Sequence, residues 1–274
     1  MWNELAPDGV EVTVEHQVAV VTLNRPERRN AVHPPMRRAL LRALEETRAD
    51  PDIRAVLVTG AGSAFCSGAD VSGVEWTEIP PERRRGNPSN VVREDGLRFG
   101  WWRVVQAIWE SEKPFVAAVN GAAYGFGCNL ALACDLVIAG ESAQFCEVFV
   151  RRGLPVEAGG AWILPRVVGV ARAKEMILFG EPVGGSQAAE WGLANRCVPD
   201  DQLMEVATEW ARKLAGGPSI AIGHAKFQVN QSLDSSLSQS FREEVTLMGI
   251  GSGADATEAR DAAREKREPR FTGR

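Results

Sequence analysis

A chain of 274 residues, 45% apolar and 24% charged, is long enough to bury a sizeable core and has the composition of an ordinary globular protein. Its formal net charge of −5 argues against a general nucleic-acid binder. Five cysteines without a CxxC pair, three histidines and no HExxH pattern point to reduced thiols and away from a histidine-built metal site.

The first residues are polar, with no basic-then-apolar order, so a cytoplasmic protein is expected. Residues 10–14 and 17–23 alternate as two strands of a hairpin, ended by Asn24-Arg25-Pro26. The loop RPERRNAVHPP carries three arginines. A helix follows over 36–49, with Leu40, Leu41 and Leu44 on one face, and Asp50-Pro51 stops it. Residues 55–59 form a buried strand. GAGSAFCSGAD (60–70) comes directly after it. Gly60-Ala61-Gly62 has the start of a dinucleotide-binding turn, but Phe65 stands where its third glycine belongs. The alternative is a Gly-lined loop offering backbone N–H groups at Gly68 and Ala69.

Residues 77–93, with three prolines and an arginine run, read as a mobile loop. The arginines meet phosphates or form a solvated basic face. A helix rich in tryptophan covers about 95–111. The stretch 113–160 organises the chain. Its order is an apolar strand (115–119), a turn broken by Gly121, Gly125 and Gly127, an apolar helix (128–133) and a second buried strand (135–139). Such a turn leaves N–H groups at a helix N-terminus, where an anion or a developing oxyanion can bind; the plainer alternative is a buried helix of an α/β core. Asn120, Asn129, Asp135 and the glycines interrupt the stretch too often for a membrane span. Residues 162–179 continue helically. After a loop at 180–185, Ser186 caps a short helix that Gly192 ends. Helices over 201–214, 218–230, 233–248 and 255–266 complete an α/β core at 1–199 and a helical region at 200–274.

Five ordered motifs carry a family resemblance: NRPERRNAV (24–32), AVLVTGAGSAFCSGAD (55–70), KPFVAAVNGAAYGFGCNLALACDLVIA (113–139), FVRRGLPVEAGGAWILPRVVG (149–169) and AAEWGLANRCVP (188–199). Together they resemble the crotonase superfamily, the enoyl-CoA hydratase/isomerase family. The resemblance implies an α/β fold, a right-handed ββα spiral core with a C-terminal helical trimerisation region. It implies acyl-CoA thioesters as substrates, coenzyme A being part of the substrate, with no metal or redox cofactor. It also implies a homotrimer or a dimer of trimers, with neither membrane nor nucleic acid as partner.

In such enzymes two backbone N–H groups hold the thioester oxygen, and the matching positions are Ala69 and Phe126. A backbone donor survives side-chain change, so Phe126 leaves the hole intact and narrows the acyl pocket. Arg28, Arg29, Ala31, Cys66, Gly68, Asp70 and Phe149 are placed by the same resemblance along the substrate. Hydratases of the family activate water with two glutamates. Here Asn129 and Phe149 occupy those positions, and neither is a general base. Glu147 shares a face with Phe149 if the chain is extended there; otherwise it is a surface or interface residue. Glu157, in PVEAGG, matches the place of a catalytic Asp in some isomerase branches; its alternative is an acid favoured by a helix N-terminus. One carboxylate with an oxyanion hole suits a 1,3-proton shift. A hydratase, with water held by Glu157 and Asn129, and a non-catalytic acyl-CoA-binding protein remain the other readings.

Overall fold

The computed structural model describes residues 2–70, 100–250 and 253–274. Two sheets form among these residues. The larger has the order β1 (Val10–Glu15), β2 (Val18–Leu23), β3 (Ala55–Gly60), β5 (Phe115–Val119), β7 (Leu136–Gly140), β10 (Arg196–Val198). Only the β1–β2 pairing in it is antiparallel. The smaller has the order β4 (Ala64–Cys66), β6 (Ala122–Tyr124), β8 (Gln144–Cys146), β9 (Val183–Gly184). The chain climbs by repetition: β3 then β4, β5 then β6, β7 then β8, each pair giving one strand to each sheet.

Strands β3 and β5 are buried throughout, and apolar but for Thr59, because both faces of the large sheet are covered. Alternate residues part to two cores. Val56, Val58, Ala117, Val119 and Ala139 face the main core with helix α1 (Pro34–Ala49). Leu57, Val116, Ala118 and Ile138 face the other way, onto Leu203, Ala207, Ala211 and Ala215 of one helix, Leu203–Ala215. Its small residues at a spacing of four let it lie close to the strands.

The remaining helices, in chain order, are α2 (Trp101–Trp109), α3 (Phe126–Ala133), α4 (Gly160–Val168), α5 (Val170–Phe179), α6 (Gly185–Trp191), α7 (the Leu203–Ala215 helix), α8 (Ser219–Ser232), α9 (Leu237–Ile250) and α10 (Gly253–Glu265). The mobile loop expected at 77–93 lies outside the described residues, as does the start of the helix expected over 95–111.

Several local expectations are corrected. Gly60-Ala61-Gly62 leads into strand β4, with no helix to receive a dinucleotide phosphate. The single helical run over 162–179 is two helices, because Gly169 takes φ 80° between them. Ser186 does not cap α6; Gly184 holds the cap position and makes no side-chain cap bond, while the Ser186 hydroxyl faces Cys197 Sγ at 3.9 Å. Residues 147–149 are not extended. Val148–Arg152 is a 3-10 turn, which sends Glu147 and Phe149 to different neighbours. Among the described residues no helix is long and apolar enough to cross a membrane.

Candidate active site

The site starts from two loops pressed together. A parallel bridge joins Val32 to Ala69: the Val32 N–H donates to the Gly68 carbonyl and the Asp70 N–H to the Val32 carbonyl. Peptide groups alternate along an extended chain, so the Ala69 N–H faces away from Val32. The second loop ends at Gly125, whose φ of 54° and ψ of −116° only glycine adopts readily, and α3 begins at Phe126. The Phe126 N–H stands in the first turn, where no intrahelical acceptor exists. Neither N–H donates to an acceptor among the described residues.

Close approach explains the glycines. A Cβ on Gly68 would lie 2.8 Å from the Tyr124 carbonyl oxygen and 3.8 Å from the Phe126 nitrogen. One on Gly127 would overlap the Cys66 carbonyl. The first turn of α3 thus rests on β4, and Gly68 places Ala69 beside Phe126. Cys66 itself is fully buried, and burial pushes its thiol up to about 12. It is a packing residue beneath the loops.

The loop over 24–32 braces this arrangement. Asn30, fully buried with φ 55°, donates to the Ala61 and Ala64 carbonyls at 2.9 and 2.7 Å. Arg25 Nη1 reaches the Ala31 carbonyl at 2.9 Å and Asp70 Oδ2 at 2.6 Å, and Asp70 is 3% exposed. Ala31 therefore contributes a carbonyl to a brace, and Asp70 a counter-charge. The Arg29 carbonyl accepts from the Ser67 N–H, which sets Arg28 and Arg29, both exposed, next to the loop holding Ala69. Arg25 and Asn30 brace the two loops and were not among the expected site residues. Their signal, a half-buried arginine and a buried asparagine bonded inside a loop, emerges only with the fold.

Apolar walls adjoin these two N–H groups. The Phe126 ring packs on Trp101 of α2 with centroids 4.5 Å apart. The Phe149 ring lies at 3.5 Å from where a Gly125 Cβ would stand. A groove of about 300 Å³ runs between α2 and α4, lined by Trp102, Val105, Trp109, Gly159, Trp162 and Ile163. A larger cavity, about 560 Å³, includes Arg29, Ser63, Asn120, Gln144 and Asp200 but neither donor nor any proposed acid, so the chemistry is placed by the donors.

Glu157 precedes α4 in the turn Glu157-Ala158-Gly159, whose last two residues have φ of 53° and 78°. Asn129 Nδ2 donates to the Glu157 carbonyl at 2.9 Å, and the Gly160 N–H to the same oxygen at 3.2 Å. Asn129, on α3, thus ties the Glu157 turn to the helix that carries Phe126. Glu157 is an exposed residue, yet desolvation from the protein side raises its carboxyl pKa. Glu147 is the correction: expected at the surface or an interface, it is 0% exposed, next to Cys128 and Asn129 under the first turn of α3. Burial pushes it up to about 7. The thiol and amide beside it act the other way and weigh less than burial, and neither meets hydrogen-bond geometry with its oxygens.

Comparison with known proteins agrees with the geometry. The profile of the family described as enoyl-CoA hydratase/isomerase matches residues 13–274. A Rhodobacter capsulatus protein named as a probable enoyl-CoA hydratase is 41% identical, over 97% of this chain and 98% of its own. The 1,2-epoxyphenylacetyl-CoA isomerase of Escherichia coli is 37% identical, over 95% and 97%. The crystal structure of enoyl-CoA hydratase from Bacillus anthracis superposes with a TM-score of 0.86 at 31% identity, covering 97% of this chain and all of that one. With a ββα climb, two Gly-lined loops and an end-to-end match, this chain belongs to the enoyl-CoA hydratase/isomerase family and has the crotonase fold.

Proposed function

We propose that this enzyme shifts a double bond of an acyl-CoA thioester by a 1,3-proton transfer, with Glu157 as the single acid/base and the Ala69 and Phe126 N–H groups as the oxyanion hole. The observation that carries this reading is the fate of the carboxylates. Asn129 and Phe149 stand where hydratases of the family use glutamates, Glu147 is shut beneath α3, and Glu157 stays open to solvent in a turn tethered to the hole's own helix. Removing a proton from carbon near a thioester puts negative charge on the carbonyl oxygen. Two fixed N–H donors lower that barrier, each by roughly 10²–10³ in rate. Glu157 takes the proton from one carbon and returns it to another, and no water is activated. The raised pKa of Glu157 suits this double role. In the same reading Arg28 or Arg29 meets a CoA phosphate, and no metal or separate cofactor takes part.

Glu157→Gln tests it. The variant keeps size and hydrogen bonding but removes the base, so turnover should fall by at least about 10²-fold while acyl-CoA binding persists. Solvent deuterium should no longer enter the acyl chain. Unchanged turnover would overturn the assignment. Incorporation of solvent oxygen into product would favour hydration. Tight acyl-CoA binding by the native protein without exchange or turnover of any thioester would favour a binding protein.

A further inference from the structure

Beneath the first turn of α3 three buried acceptor atoms are left unpartnered among the described residues. Asn129 Oδ1, Glu147 Oε1 and Glu147 Oε2 have no hydrogen-bond partner among the described residues. Both residues are 0% exposed. Polar groups so buried are almost always bonded, and an ionised carboxylate there, without a cation, is costly. The groups acting on Glu147 are Cys128 and Asn129 from α3 and Cys146 from β8. Arg151, on the 3-10 turn that Glu147 precedes, turns outward to the Phe179 carbonyl and Glu181. On α5, packed behind that turn, Arg172, Lys174 and Glu175 are exposed.

One proton resolves the shortage. A neutral Glu147 gains an O–H donor, and the neighbouring Asn129 carries an oxygen that is likewise without a partner among the described residues. An ionised Glu147 offers acceptors alone. The amide packs directly on Gly160, where an added Cβ would come within 2.6 Å of Asn129 Nδ2.

We propose that Glu147, as a neutral acid, is a positioning residue: it donates to Asn129 Oδ1, so that Asn129 Nδ2 faces the Glu157 carbonyl and holds the Glu157 turn for proton transfer. The proposal rests on the assignment of Glu157 as the acid/base. When Glu147 ionises, its carboxylate attracts the Nδ2–H, the amide reverses, and Oδ1 meets the Glu157 carbonyl, acceptor against acceptor. The new charge also lies under the helix that must receive the enolate's charge at Phe126. Burial alone brings this switch close to neutral pH.

Two substitutions and one spectrum test it. Wild-type kcat should decline above about pH 7 with little change in KM. Glu147→Gln carries an amide donor at every pH; it should abolish that decline and keep kcat within about threefold, the size of a modest hydrogen-bond change. Glu147→Leu has no donor and should lose about tenfold or more in kcat at all pH values while circular dichroism stays native. Independently of activity, difference infrared spectra of wild type against Glu147→Gln should show a protonated carboxylic-acid carbonyl band at about pH 6 that fades on titration through about pH 7. Absence of that band overturns the proposal. So does a Glu147→Leu enzyme with the wild-type kcat and pH profile. If Glu147→Leu fails to fold, the Glu147→Gln profile and the band decide. Should Glu157→Gln stay active while the band is present, the acid/base assignment fails and the state of Glu147 still stands.

Discussion

Glu147 couples the protein's stability to pH as well as its chemistry. Its pKa is raised in the fold, from 4.5 to about 7, so the folded state holds the proton more tightly than the unfolded chain. The stabilisation this gives is complete below about pH 4.5 and is lost as pH rises to about 7. Denaturant unfolding of wild type and Glu147→Gln should therefore diverge: wild type should lose, relative to the variant, up to about 3 kcal/mol between acid and pH 8. A constant difference across that range would contradict a buried acid. At the phosphate end, Arg28→Ala or Arg29→Ala should weaken acyl-CoA binding, more at low salt than at high; unchanged affinity in both would remove the arginines from that role. Position by position, the sequence was uneven. The close approach of the loops carrying Ala69 and Phe126 was legible because glycine spacing marks places where backbones meet. Glu147 was not, because a 3-10 turn starting at Val148 replaces the extended chain that would have aimed it beside Phe149. Which wall a side chain enters depends on a rotation that composition does not encode.

Helix α3 and strand β4 form the element on which the proposed oxyanion hole depends. Gly127→Ala is informative because two effects oppose. Alanine in place of glycine in a helix stabilises by about 1 kcal/mol, whereas forcing a methyl against the Cys66 carbonyl costs about 1–3 kcal/mol and displaces the first turn. The contact should win, so the variant should melt lower and lose turnover with normal secondary structure. A higher melting temperature with full activity would show that the two loops need not touch. The long buried strands β3 and β5 were readable from apolar runs, and Gly192 as the end of α6 from its position. Strands β4, β6 and β8 were not read. Each has three residues, too few to show a period, and they exist because parallel partners pair them across the smaller sheet. Gly169 gave no warning of dividing α4 from α5, since its φ of 80° is visible only in the backbone.

For the whole molecule, one surface stands out. Leu237, Phe241, Val245 and Met248 of α9 recur along one side at exposures of 69, 55, 73 and 83%. A helix with such a stripe buries it against a partner. We propose that this stripe takes part in a homotrimer, or a dimer of trimers. Light scattering should give three or six chains per particle, and Phe241→Asp combined with Val245→Asp should shift the mass downward. A wild-type monomer at micromolar concentration would refute it. The helical tail was legible from composition and period, although its helices begin or end up to four residues from their expected bounds, because helix ends answer to packing and to caps.

The bridge between Val32 and Ala69 has a consequence for the protons of the resting enzyme. Neighbouring amides should live on different clocks. The Asp70 N–H, locked to the Val32 carbonyl, should trade its hydrogen for solvent deuterium slowly, while the Ala69 N–H, one peptide away and without an acceptor among the described residues, should trade it fast. A bound thioester would cap that amide and slow it, together with the N–H of Phe126 across the gap. Two isotopic tags in separate loops would then report, without any turnover, the moment at which a carbonyl oxygen arrives between them.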